Sequence, residues 1–134
     1  MRITADTNVL VRAAVLDDPE QAKLAAELLR DADVIAVTLP ALCEFARVMA
    51  RGYGRTSGEI LGMIRGLLES SAVRVDRPAV DAGLAVLAAG GDFADGVIAF
   101  EGRRLGGEVF ASFDRTAIRP IAGTGGVTHL LSDA

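Results

Sequence analysis

The sequence predicts an α/β protein with a central parallel sheet of about four to five strands, covered by helices on both faces. Short apolar or alternating runs at Arg2–Asp6, Val34–Val37, Ala72–Val75 and Val109–Phe113 read as strands. Between them lie stretches with helical spacing, several opened by proline or a capping residue and closed by glycine. Strands that alternate with helical connections favour a parallel sheet, buried on both sides.

Each element has its own local reason. In Arg2–Asp6, Ile3 and Ala5 alternate with Arg2, Thr4 and Asp6 as a half-buried strand does. A short helix is expected over Asn8–Leu16, and Pro19 opens a second whose Ala22, Ala25, Ala26 and Leu29 share a face. Val34–Val37 is a buried strand by its apolar run. Pro40 starts a helix with Leu42, Phe45, Ala46 and Met49 at core spacing, ended by Gly52 and Gly54. Thr56 caps the next, which carries Ile60, Ile64 and Leu67. After the strand Ala72–Val75, a helix spans Pro78–Ala89 and stops at Gly90-Gly91. Asp92 opens a helix to about Leu105, Val109–Phe113 is a fourth strand, and Arg119–Ala122 reads as a fifth. The tail G-T-G-G-V-T-H-L-L-S-D-A carries little signal.

A chain of 134 residues suits one domain over 1–134 with a proper core, and 51% hydrophobic residues argue against disorder. The longest apolar stretch, Val34 to Cys43, is too short to cross a bilayer and contains Pro40. The start R-I-T-A-D-T lacks the pattern of a signal peptide, so a cytoplasmic protein without membrane contact is expected. A single cysteine, Cys43, excludes an internal disulfide and fits a reducing compartment.

Four acidic residues stand where elements begin or end: Asp6, Glu44, Asp95 and Asp114. Asp6 and Asp114 follow strands, at whose carboxyl ends sites of such sheets form. Asp95 lies in the first turn of a helix, where the dipole tolerates an anion. Each has an ordinary reading alone: Asp6 as a helix cap, Glu44 as a partner of Arg47, Asp114 as a turn residue. Asp92 reads as an N-cap with Asp95 as the acidic half of a capping box. Together they form a costly set, because two carboxylates about 4 Å apart repel by roughly 4 kcal/mol at an effective dielectric of ~20. A hard divalent cation relieves that repulsion, and oxygen ligands suit Mg²⁺ or Mn²⁺. Such a site activates water toward a phosphodiester.

The net charge of −4 looks wrong for a nucleic-acid partner. Setting the four acids aside leaves 14 of the 18 acidic residues against 14 basic ones, so the remaining surface is neutral. Thirteen of the basic residues are arginine, with Arg47, Arg51 and Arg55 at four-residue spacing and Arg103, Arg104, Arg115 and Arg119 in the last third. These are either solvated helix faces or phosphate contacts beside a metal site.

Other chemistries lack their residues. One histidine (His129, in the weak tail) and one cysteine do not make a zinc site. Lys23, the only lysine, sits on a charged helix face, which removes a P-loop and the late lysine of a phosphorelay receiver. No G-x-G-x-x-G follows a strand and no G-x-S-x-G is present. A D-x-D phosphatase would need an acid where Asn8 stands.

The four acidic segments, in this order, resemble the PIN-domain ribonucleases, and among them the VapC-like toxins of type II toxin–antitoxin pairs. D-T-N-V-L resembles the family's opening motif and maps its metal-binding aspartate to Asp6. L-C-E-F maps the helix acid to Glu44, D-F-A-D-G-V-I-A maps the third acid to Asp95, and S-F-D-R the fourth to Asp114. The resemblance covers nearly the whole chain. It implies a PIN-like three-layer α/β/α fold and a Mg²⁺- or Mn²⁺-dependent endoribonuclease that leaves a 5′-phosphate and a 3′-hydroxyl. Asp6 and Asp95 would hold the principal metal, Glu44 and Asp114 would complete the site, and Asn8 and Ser112 would support it. The resemblance further implies a homodimer and a small antitoxin that blocks the acidic pocket. Gly96 stands where the family commonly has alanine, an expected loosening of that helix start, and Ser112 replaces a threonine. Asp92 stays open between N-cap and outer ligand. The alternatives are a PIN-fold nuclease of RNA processing and a non-catalytic, metal-stabilised binding module.

Overall fold

A computed structural model describes residues 1–132. It confirms the α/β class with parallel strands. The elements run β1 (Arg2–Thr4), α1 (Thr7–Ala14), α2 (Pro19–Asp31), β2 (Val34–Ala36), α3 (Leu39–Arg47), α4 (Ser57–Leu68), β3 (Val73–Arg74), α5 (Arg77–Ala88), α6 (Phe93–Arg104), β4 (Phe110–Ser112), α7 (Arg115–Gly123) and β5 (Thr128–Leu130).

The expected helix starts hold because each has a side-chain cap. Asp18 accepts from the Gln21 amide ahead of Pro19, and Thr38 accepts from Ala41 ahead of Pro40. Thr56 and Glu59 form a reciprocal capping box at α4, satisfying two amides that the first turn leaves without partners. The predicted Pro40 helix is not α-helical throughout. It leaves α geometry after Arg47 and continues as a π-turn over Val48–Gly52.

The parallel ladder is divided in two. β1, β2 and β3 pair in that order, with Ile3 opposite Ile35 and Ile35 opposite Val73. β4 and β5 form a separate parallel pair, with Ala111 opposite His129. The fifth strand is therefore not where the sequence suggested. Arg119–Ala122 lies inside α7, and the strand is Thr128–Leu130 in the tail. Pro120 obscured this helix, since proline in a helix interior removes a hydrogen bond and crowds the preceding turn. The ring is buried, and a Cβ added to Gly91 would meet it at 2.6 Å, so packing of α7 on the end of α5 offsets the local cost.

The core gathers Ile35 and Val37 with Leu42, Phe45 and Met49 of α3 and the π-turn, Ile60 and Ile64 of α4, and Val80 and Leu87 of α5. Its tightest seam joins α5 to α6. A Cβ at Gly96 would stand 2.6 Å from the Ala82 carbonyl oxygen and 2.8 Å from Gly83 Cα. The Phe93 ring, wholly buried, lies over Gly83. Gly96 thus does not loosen the start of α6 but allows the two backbones to touch. No helix among the described residues is long and apolar enough to cross a membrane.

Gly96→Ala is therefore expected to cost about 1–3 kcal/mol by overpacking, read as a lower urea midpoint. Gly62→Ala, in α4 where an added Cβ meets nothing within 4 Å, should stabilise by about 0.5–1 kcal/mol.

Candidate active site

Asp6, Asp92 and Asp114 each end a loop and begin a helix, and each serves as an N-cap. Asp6 follows β1 and accepts from the Thr7 amide at 2.9 Å, while Asp92 accepts from the Ala94 amide at 3.0 Å. Asp114 follows β4 and accepts from the Thr116 amide at 2.8 Å and its hydroxyl at 2.6 Å. Ser112 accepts from the Asp114 amide at 3.0 Å and fixes that turn. The capping reading of Asp6 and Asp92 is thus correct, Asp114 read as a turn residue is a cap as well, and in each the second carboxylate oxygen lies outside the cap.

Asp95 behaves differently. Its amide bonds to the Asp92 carbonyl at 3.2 Å, but its carboxylate makes no return bond to the cap, so no capping box forms. Half-buried in the first turn of α6, it points into a cleft of about 270 Å³ that Asp92 and Asp114 also line. Burial first, then the Asp92 and Asp114 charges, raise its pKa above the ordinary aspartate range, against a smaller opposing pull from Arg47. Asp114 is held below that range, chiefly by the two bonds from Thr116. The pair resembles two carboxylates in unlike environments: one kept ionised by hydrogen bonds, the other charged at a cost.

Asp6 and Glu44 lie outside that cleft and are tied together instead. The buried Thr7 joins them, its amide donating to Asp6 and its hydroxyl to Glu44 Oε2 at 3.2 Å. Glu44 makes no ion pair with Arg47 among the described residues; Arg47 faces the cleft one turn further along α3. By their contacts the acids fall into two sets: Asp92, Asp95 and Asp114 line one cleft, while Asp6 and Glu44 share Thr7. Asn8 makes no side-chain hydrogen bond to either set among the described residues. It lines a groove between α1 and α2 with Gln21 and Leu28, and Thr7 supplies the polar contact instead. Thr7 and Thr116 were missed in the sequence; a hydroxyl residue directly after, or two after, a singled-out aspartate was the available signal.

Among the described residues no three acids converge closely enough to enclose a metal by themselves. The donor chemistry nonetheless fits a hard divalent ion. All candidate ligands are carboxylates, and Asp95 carries repulsion that a cation would remove. Mg²⁺ keeps several waters and needs only one or two carboxylates, which suits a loose acidic rim. Cys43 offers no competing nucleophile, since burial, with Asp92 and Glu101, pushes its thiol up to about 11.

The sequence matches the PIN domain family over residues 3–122, a span that includes all four acids and both sets. The chain belongs to the PIN domain family. PIN domains are in general metal-dependent nucleases that use divalent ions such as Mg²⁺. No curated protein matches the chain closely enough to stand as a relative.

The raised pKa of Asp95 has a defined sign in stability. The folded state favours the protonated form, so stability is lost as pH rises from the ordinary aspartate range through the folded pKa. In chelator near neutral pH, Asp95→Asn should melt above the wild type, and the gap should close as the buffer is made acidic. Adding Mg²⁺ should raise the wild-type melting temperature and leave that of Asp95→Asn nearly unchanged.

Proposed function

We propose that this PIN domain is a Mg²⁺- or Mn²⁺-dependent endoribonuclease and the toxin of a type II toxin–antitoxin pair, acting in the cytoplasm. The observation that carries the catalytic reading is that Asp95 lines one cleft with Asp92 and Asp114, while Thr7 links Asp6 to Glu44. Family membership supports a nuclease. The toxin role rests on the likeness of D-T-N-V-L, L-C-E-F, D-F-A-D-G-V-I-A and S-F-D-R to the VapC-like segments. A small cognate antitoxin that blocks the acidic cleft and a homodimeric assembly belong to the same reading.

In this reading Asp95 and Asp6 are the direct metal ligands, and Glu44 and Asp114 complete the site through water. The bound ion supplies Lewis acidity, lowering the pKa of water and neutralising charge on the phosphate. The chain's own groups do the rest. Thr7 fixes the Glu44 carboxylate by a hydrogen bond, so this acid accepts a proton from a water in one orientation. Thr116 keeps Asp114 ionised, which preserves an acceptor on the opposite rim. The helix starts at α1, α6 and α7 stabilise the anions they carry. Water attack in line with the leaving oxygen gives a 5′-phosphate and a 3′-hydroxyl.

Wild type expressed under tight induction should arrest growth and degrade cellular RNA, and the purified protein should cleave RNA with Mg²⁺ but not with chelator. Asp6→Asn should lose both. Equal arrest by a folded Asp6→Asn protein would sink metal catalysis and favour the binding-module reading. Thr7→Val, which removes only the bond that orients Glu44, should lower metal affinity or the cleavage rate about 10–100-fold. A change below twofold in both would remove Glu44 positioning from the mechanism.

A further inference from the structure

The cleft that holds Asp92, Asp95 and Asp114 has a second wall, and that wall is arginine. Arg47, Arg51 and Arg55 line the same volume. Most arginines near acids in this chain are paired: Arg12 with Asp17, Arg77 with Asp81, Arg104 with Asp76. Arg47 and Arg51 make no hydrogen bond or ion pair among the described residues, although three carboxylates line the same cleft. Arg55 reaches only the exposed Glu59, at 3.5 Å. Arg47 still draws on the Asp95 charge from that wall without a direct bond, and a local frame presents these arginines to the cleft.

That frame is the π-turn. It is a single turn with an i→i+5 bond, closed by the Tyr53 amide on the Val48 carbonyl at 3.2 Å. Arg51 lies within this turn, and Arg47, the last residue of α3, immediately precedes it. Gly54, at φ +64, then reverses the chain, and the Arg55 amide bonds back to Met49 at 2.9 Å, returning Arg55 to the rim. From outside, the Tyr53 hydroxyl donates to Asp17 at 2.9 Å, and Arg12 pairs with the same carboxylate at 3.1 Å. The arginine wall is thus anchored to the α1–α2 loop, independently of the acids it faces.

We propose that Arg47 and Arg51, with Arg55 at the rim, grip the backbone phosphates of single-stranded RNA along the π-turn and so set the path of the strand past the carboxylates. This rests on the nuclease reading above and adds the substrate-positioning residues to it. Guanidinium groups offer phosphate a planar fork of donors and never lose their charge. The opposite wall repels phosphate wherever no cation intervenes, so the strand follows the arginine side. Arg103 and Arg104 do not serve this purpose: Arg104 is bound to Asp76 and stacked 4.5 Å from the Phe100 ring centroid, and Arg103 lines other grooves. Phosphate contacts position without reading bases, so the clamp fixes register and leaves sequence choice to other groups.

The test is anisotropy of a short fluorescein-labelled single-stranded oligoribonucleotide, titrated at several salt concentrations in Mg²⁺ with Asp95→Asn protein to prevent cleavage. Arg47→Gln and Arg51→Gln should each raise Kd about tenfold and reduce the slope of log K against log salt by roughly 0.7. Arg65→Gln, on the exposed side of α4, should change neither. In the cleavage-competent protein the two substitutions should raise KM with kcat nearly constant. Unchanged Kd and slope in folded variants would overturn the clamp and leave this wall to a protein partner. If the wild type cleaves RNA in Mg²⁺ while that happens, only the clamp has failed; if the wild type neither binds nor cleaves RNA, both readings fall.

Discussion

The backbone contact between α5 and α6 sets the cleft that Asp92, Asp95 and Asp114 line. Gly96 lies so close to Ala82 and Gly83 that no side chain fits between, and the Phe93 ring fills the space over Gly83. Phe93 separates Asp92 from Asp95, so burying its ring fixes the rotation of the first turn of α6. That rotation leaves Asp92 capping the helix and turns Asp95 into the cleft. Pro120 seated on Gly91 brings the start of α7, and with it Asp114, to the same corner. Three carboxylates thus line one cleft because of three glycines, a phenylalanine and a proline that carry no charge.

The acids have local employment as well as a shared one. Capping satisfies helix amides that would otherwise lack partners, and a helix N-terminus stabilises an anion. This explains how the fold tolerates several acids near one rim without pairing them to its arginines. Asp95 is the exception: it caps nothing, lies half-buried, and bears the repulsion of its neighbours. A group kept charged at such a cost, in a cleft, is where function is expected to be concentrated. Asp6 and Glu44 reach the same region by a different route, through the hydroxyl of a single buried threonine.

Helix boundaries were legible wherever a cap and a proline or glycine coincide, as at Asp18-Pro19, Thr38 with Pro40, and Thr56 with Glu59. The C-terminal quarter was not. A helix containing Pro120 reads as extended, and a three-residue strand in a glycine-rich tail is too short to show a period. β5 exists because β4 offers it a partner, which is a tertiary fact. The candidate acids were visible because carboxylates at element ends are unusual beside apolar runs. The link from Asp6 to Glu44 through Thr7 was not visible, since a contact between Thr7 and Glu44 depends on the fold. Nor was the π-turn, because the sequence around Val48–Gly52 continues the helical spacing that precedes it.

The separation of the two ladders has a dynamic corollary. Among the described residues no ladder bond joins β4 to β1, so β4, α7 and β5 are attached to the rest mainly through α5 and α6. Such a segment is a candidate foldon, free to open without melting the three-stranded sheet. Asp114 belongs to it, while Asp95 belongs to the larger body. An ion shared between them would act as a strut across the seam, and its occupancy would show as slowed amide exchange in β4 and β5 while α1 and α4 stayed unchanged. Catalytic competence and the closure of the C-terminal unit would then be one and the same equilibrium.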